Sequence, residues 1–203
     1  MASFINSGLQ YSTPLVINSR RRTFRSETIN LKIQTNSSDA QRWDLNITLA
    51  PSTNRDSTPA GAALSVHRST RGTSRSFEIE MPQHVGVQET DRTVTVKDSA
   101  PAGTNGINIS TDGDSTNIQA GHFITLGTQK KVYQVTSPLV GFGPGDSVIL
   151  EIFPPLISPV NAGDPINFNP DITVFYDQDG IDGVTYSSGV VVAAEVSLVE
   201  ALV

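Results

Sequence analysis

The chain has 203 residues and a formal net charge of −6, with 37% hydrophobic and 17% charged residues. This balance is typical of a folded β-protein and excludes a disordered chain, which carries more charge and fewer β-branched residues. The absence of cysteine excludes disulfides, thiolate catalysis and cysteine-based zinc sites. No apolar run reaches the roughly 18 residues of a membrane span, and the first residues lack a secretory-signal pattern.

The N-terminal segment, residues 1–27, is predicted to be an arm or an edge strand that ends in the arginine-rich sequence SRRRTFR. Residues 28–35 alternate apolar and polar side chains, which favours a strand. The polar sequence NSSDA follows, and we expect it to be the loop of a hairpin leading into the next strand.

The most informative stretch is 41–82. Trp43, Leu45, Ile47 and Leu49 alternate with polar residues, which predicts a strand with one buried face. The sequence STPAGAALSVHRSTRG then predicts a short helix near 58–71, capped by a serine or threonine, with a proline in its first turn and a glycine after its end. A second alternating strand returns through Phe77 and Ile79.

The second half changes to short strands separated by turns rich in glycine, proline and aspartate. The strands are HFITL, KVYQVT, SVILEIF, ITVFYD and GVVVAAEVSLVEAL, a spacing typical of a sandwich or small barrel. We therefore expect an all-β fold, mainly an antiparallel sandwich or barrel, with one short helix. The expected domains are residues 1–100 and 101–203, with the last strand returning to the N-terminal sheet.

Several segments, taken in order, resemble the distal-tail or tail-tip proteins of tailed bacteriophages. They are QRWDLNITLAP, the helix ending in Arg-Gly, the strand with Phe77 and its proline, QAGHFITLGTQKKVYQVT, VILEIFPPL and VSLVEAL. The resemblance covers most of the chain from about residue 28 onward, but it does not extend convincingly to the N-terminus.

The resemblance implies a structural virion protein of the tail tip or baseplate. Such proteins form rings, commonly hexameric, that link the tail tube to hub or receptor-binding proteins. Their usual plan is an N-terminal β-rich belt domain and a second β domain. The implied partners are further copies of the chain and neighbouring tail proteins, without a cofactor or a membrane. The implied location is the virion tail, after synthesis in the cytoplasm of a bacterial host.

Candidate chemical sites are few, and we do not expect an enzyme. His67, His84 and His122 lie in no nucleophile or HExxH-type pattern. Asp177, Asp179 and Asp182 have calcium-like spacing, but a serine stands where a calcium loop needs a glutamate, so a hairpin turn competes with a cation site. Asp112 and Asp114 give a weaker signal of the same kind. The sequence GFGPGD is predicted to be a turn rather than a phosphate cradle, joining KVYQVT to SVILEIF.

The arginine cluster, Arg20, Arg21, Arg22 and Arg25, is the candidate interface. Residues 1–75 contain ten Lys and Arg against four Asp and Glu, whereas 76–203 contain four against sixteen. The cluster could dock on an acidic neighbour, or it could be plainly solvated. We do not expect nucleic-acid binding, because the cluster contains a single phenylalanine, and one aromatic side chain is weak evidence for a surface that stacks nucleic-acid bases. The alternative functions are another virion part (tail tube, adaptor or head decoration) and a carbohydrate-binding β-module, which would need exposed aromatic residues.

Overall fold

A computed structural model of the chain describes residues 11–27, 33–49, 52–53, 74–81, 93–113, 116–177, 186–187, 190–191 and 195–202. The predicted helix near 58–71 lies outside these residues. Within them no helix is long and apolar enough to cross a bilayer. The fold of the described residues is all-β, as predicted, and its strand ladders are antiparallel.

Sixteen strands follow one another within the described ranges. They are β1 (Tyr11–Glu27), β2 (Ile33–Leu49), β3 (Ser52–Thr53), β4 (Phe77–Glu80), β5 (Val94–Val96), β6 (Gly106–Thr111), β7 (Thr116–Ile118), β8 (Phe123–Leu126), β9 (Tyr133–Val135), β10 (Leu139–Phe142), β11 (Val148–Phe153), β12 (Ile166–Asn167), β13 (Asp171–Tyr176), β14 (Tyr186–Ser187), β15 (Val190–Val191) and β16 (Glu195–Glu200).

The strands belong to two compact units, one of residues 1–80 with 172–203 and one of 81–171. This division differs from the expected single boundary near residue 100. The reason is that β5 pairs with β6 in the second unit, while β13 pairs with β16 in the first. The second unit is thus an insertion in the chain of the first.

The first unit contains a five-stranded sheet in the order β1-β2-β16-β13-β4. Its buried face follows the predicted alternation, because Trp43, Leu45 and Ile47 are buried together with Phe77 and Ile79. From β13 and β16, Ile172, Val174, Val196 and Leu198 are buried as well. A second sheet of this unit has the order β14-β15-β3.

The hairpin expected around NSSDA is wrong. Residues 36–40 lie inside β2, which is one 17-residue strand paired along its length with β1. The register shifts between Arg21 and Thr23, opposite the segment from Ser37 to Gln41, so the polar sequence forms a bulged part of the ladder. No other described strand pairs with this part of β2, so an extended strand there does not require an apolar face.

The second unit is a small barrel with the strand order β12-β8-β9-β11-β6-β5. The two end strands meet, because Thr95 bridges to Pro165 and the N–H of Val96 donates to the carbonyl of Asp164 at 2.9 Å. The pair β7-β10 adds Ile118 and Phe142 to the barrel core. That core also contains Val94, Val96, Ile107, Ile109, Ile124, Leu126, Tyr133, Val135, Leu150 and Ile152.

Candidate assembly surface

The arginine cluster lies on β1, the edge strand of the five-stranded sheet. Arg20, Arg21 and Arg25 are exposed. Arg22 lies at the register shift between β1 and β2, and its side chain is outside the described part. An edge strand presents its outer backbone and side chains to whatever approaches the sheet, so the cluster is placed where a neighbour could reach it.

Arg20 of the cluster has two carboxylate partners in its own unit. Its Nε lies 2.7 Å from Oδ2 of Asp44, and its Nη2 lies 3.3 Å from Oδ2 of Asp177. The hydrogen bond to Asp177 and the charges of both carboxylates raise the pKa of Arg20 above its ordinary value. Arg20 therefore ties β1 to β2 and to the residue that follows β13. Sequence patterns did not predict these contacts, because Asp177 lies 157 positions from Arg20 along the chain.

Asp44 is partly buried, and the ion pair with Arg20 satisfies only one of its two carboxylate oxygens. Its side chain is 18% exposed, and its Oδ1 is buried without a hydrogen-bond partner among the described residues. Burial raises the pKa of Asp44, and the opposing attraction of Arg20 does not cancel the effect. A carboxylate with one oxygen paired and the other withdrawn from water is only partly compensated.

A second tie lies on the opposite, buried face of the sheet. The β2–β16 ladder ends where Asp44 pairs with Val199. The next backbone N–H, that of Trp43, donates instead to Oε2 of Glu200 at 3.1 Å. Glu200 is fully buried, so its carboxylate replaces the main-chain acceptor at the point where β2 leaves the sheet. The sequence carried a signal for this residue, because Glu200 shares the alternation of Val196 and Leu198.

Beyond these two ties β1 and β2 continue as a two-stranded ribbon, residues 21–27 and 33–41. No other described strand pairs with this part. Phe24 is 66% exposed and Ile33 is 50% exposed. Because Phe24 pairs with Asn36 and Glu27 pairs with Ile33, alternation places the two apolar side chains on opposite faces of the ribbon, with Arg25 on the face of Ile33. An isolated two-stranded ribbon is marginally stable in water, and this one exposes apolar side chains on both faces.

The other sequence candidates have local structural roles where the structure describes them. Asp177 is bound by Arg20, while Asp179 and Asp182 lie outside the described residues. Oδ1 of Asp112 accepts the N–H of Thr93 at 2.9 Å, and Asp114 lies outside. In the described ranges no three His, Cys, Asp or Glu residues are grouped so as to hold a metal ion.

The glycine-rich sequence GFGPGD is only partly the predicted turn, because Gly141 and Phe142 belong to β10 and the turn begins at Gly143. This turn joins β10 to β11, whereas the prediction had it start from KVYQVT. Oδ2 of Asp146 accepts the N–H of Gly143 at 2.8 Å, and the N–H of Asp146 donates to the carbonyl of Gly143 at 3.1 Å. These two hydrogen bonds close the turn, so its carboxylate and backbone serve the loop itself.

One of the three histidines lies in the part of the chain that is described. His122 is buried at the start of β8, and His67 and His84 lie outside. The arginine cluster and the ribbon that carries it are therefore the surface with the clearest capacity for interaction. No protein-family model matches the chain, and no curated protein sequence matches it.

Proposed function

We propose that the protein is a structural virion component of a tailed phage, a ring subunit of the tail tip or baseplate that links the tail tube to hub or receptor-binding proteins. The observation that carries the proposal is the ribbon. It extends past its sheet, is tied at its root by Arg20 and Glu200, and exposes Phe24, Arg25 and Ile33. Such a ribbon is better suited to contact another subunit than to act alone.

The segments that resemble distal-tail proteins also support the proposal by their positions. QRWDLNITL lies in β2 and VSLVE lies in β16, and these two strands are neighbours in the five-stranded sheet. HFITLGTQKKVYQVT spans β8 and β9, and VILEIF is β11, all in the barrel. The segments are thus strands of two β-rich units, which agrees with the belt-plus-second-domain plan that the resemblance implies.

A carbohydrate-binding module is the alternative from another class, and it needs exposed aromatic platforms. Trp43, Tyr133 and Tyr176 are buried. The hydroxyl of Tyr133 donates to Oε1 of Gln129 at 2.7 Å and accepts the N–H of Ile157 at 3.2 Å, which fixes the ring in the barrel core. The side chains of Tyr11 and Tyr186 lie outside the described part. The described tryptophan and tyrosine rings are therefore not free to form a sugar platform, which favours an assembly role over sugar binding.

The position of the protein in a particle tests the proposal. Purified phage particles that contain the chain would be labelled with gold-conjugated antibodies and imaged by electron microscopy. We expect label at the distal end of the tail and, in particles that lack the protein, tails that are unfinished at that end. Label along the tube, at the head–tail joint or over the head would support the tube, adaptor or decoration alternative instead. Absence from particles would reject a virion role.

A further inference from the structure

The two edges of the five-stranded sheet differ in charge. One edge is β1, with four arginines and a single glutamate. The other described edge is β4, whose four residues are Phe77, Glu78, Ile79 and Glu80. One polypeptide thus carries a basic edge and an acidic edge on the same sheet.

The charged side chains at these edges are placed to meet an approaching surface. Arg25 is exposed on the ribbon. On β4, Phe77 and Ile79 are buried and Glu80 is exposed, so alternation directs Glu80 to the outward face of the sheet. Arg25 and Glu80 belong to opposite edges, and they provide complementary charges that two copies of the chain could bring together.

From this arrangement we propose that the ribbon of one copy docks against the β4 edge of a second copy, head to tail, with Arg25 facing Glu80. This inference rests on the proposed function, because it names the contact that would build the ring. A two-fold contact of ribbon with ribbon would oppose arginines to arginines, which is unfavourable. A head-to-tail contact joins two different surfaces and closes into a ring when the rotation permits.

The two ties at the root of the ribbon reduce the conformational entropy that is lost when the ribbon docks. The Arg20 ion pairs and the Glu200 hydrogen bond hold β2 on both faces of the sheet before a neighbour arrives. An element that is ordered in advance loses less conformational entropy on association. Ile33 is exposed and lies on the same face of the ribbon as Arg25. It would lose contact with water in the same step, which adds a favourable hydrophobic contribution.

Charge exchange tests the contact directly. The intact chain would be studied by mass photometry and sedimentation velocity over a concentration series, in low salt and in about 1 M salt, where the Debye length falls to about 3 Å. We expect concentration-dependent association that is weakened by salt. Arg25→Glu and Glu80→Arg should each raise the dissociation constant about tenfold or more, because each creates like charges at the contact. The double variant that carries both changes should recover most of the loss.

Glu195→Arg is the matched control. Glu195 is exposed on the same sheet, but it lies on the central strand β16, so the same change of charge should leave association unaltered. If the wild type associates and the two single variants associate equally well, or if the double variant recovers nothing, the Arg25–Glu80 contact is wrong while a ring remains possible. If the wild type stays monomeric throughout, docking on a second copy is overturned. The labelling of particles then decides the proposed function separately.

Discussion

A buried carboxylate needs a hydrogen-bond or ion-pair partner on each of its oxygens, and Asp44 has one on a single oxygen. Arg20 binds Oδ2, whereas Oδ1 is buried without a partner in the described part. Because burial raises the pKa of Asp44, the folded state holds the proton more tightly than the unfolded chain does. Ionisation of Asp44 therefore lowers the stability of the fold, and this cost is absent below the unfolded pKa of about 4.

We expect Asp44→Asn to preserve or slightly increase the free energy of unfolding at pH 7. As pH falls below about 4, the wild type regains the proton and the difference should disappear. Urea unfolding of both proteins between pH 3 and 7 measures this, with Arg20→Met as the contrasting variant. Arg20→Met removes the counter-charge and should lose about 1 kcal/mol. A large loss for Asp44→Asn at pH 7 would show that the ion pair outweighs burial.

Trp43 tests the buried face of β2. Its side chain is 4% exposed and lies in register with Leu45 and Ile47. Trp43→Ala should lower the free energy of unfolding by about 3–5 kcal/mol, because it removes a large buried side chain and leaves a cavity. Arg42→Ala, one position away on the exposed face, should change stability by less than about 0.5 kcal/mol. Equal effects of the two changes in urea unfolding would contradict the register.

Gly127 tests the close approach between β8 and the segment before β12. Its φ is +56°, and a Cβ there would lie 3.0 Å from Cγ of Asp164. Gly145 has a φ of +86° with open space around the added Cβ, so it isolates the backbone contribution. Gly145→Ala should cost about 1–2 kcal/mol, and Gly127→Ala should cost more because Asp164 must also move. Thermal unfolding of the two variants measures the difference.

The elements differ in how well the sequence predicted them. Strands with a regular burial alternation, such as the Trp43 segment and β4, were predicted because period two reflects one buried face. The long β1–β2 ladder was not, because the bulged and polar sequence around Ser37 has no apolar period. The short strands β15 and β16 were read as one, although they pair in different sheets. Neither the Arg20–Asp177 contact nor the Trp43–Glu200 hydrogen bond could be predicted, since each joins residues 157 positions apart.

At the scale of the whole molecule, the uneven charge has two different origins. Asp146 and Asp164 of the barrel each accept a backbone N–H within their own turn, and Asp112 accepts the N–H of Thr93 beside the β5–β6 ladder. Part of the acidity of the second half therefore serves local structure. On β1, Arg20 binds two carboxylates of its own unit, whereas Arg25 is exposed on the ribbon. The arginine-rich strand is therefore the more informative part of the charge pattern.

Reversal of Arg21, Arg22 and Arg25 to glutamate should abolish incorporation of the protein into tails while leaving its thermal midpoint nearly unchanged. Single surface ion pairs contribute only about 0–1 kcal/mol, so the effect depends on several contacts repeated around a ring. Reversal of Arg20 is the control with the opposite pattern, because it opposes Asp44 and Asp177 and should lower the midpoint. Normal incorporation of the triple variant, measured by immunoblot of purified particles, would reject docking by the cluster.

The insertion of the barrel between β4 and β13 also orders events during synthesis. β2 pairs with β16, so Asp44 cannot pair until Val199 has been synthesised. The ribosome adds Val199 about 150 residues after Asp44, which takes on the order of ten seconds at roughly 5–20 residues per second. The strands of the barrel emerge within that interval, so the inserted unit can fold while the five-stranded sheet is incomplete. At the root of the ribbon, the Arg20–Asp44 ion pair needs only β1 and β2, whereas the Glu200 hydrogen bond forms last. If the ribbon docks as proposed, nascent chains would lack the finished sheet edge and would be protected from joining one another on the polysome.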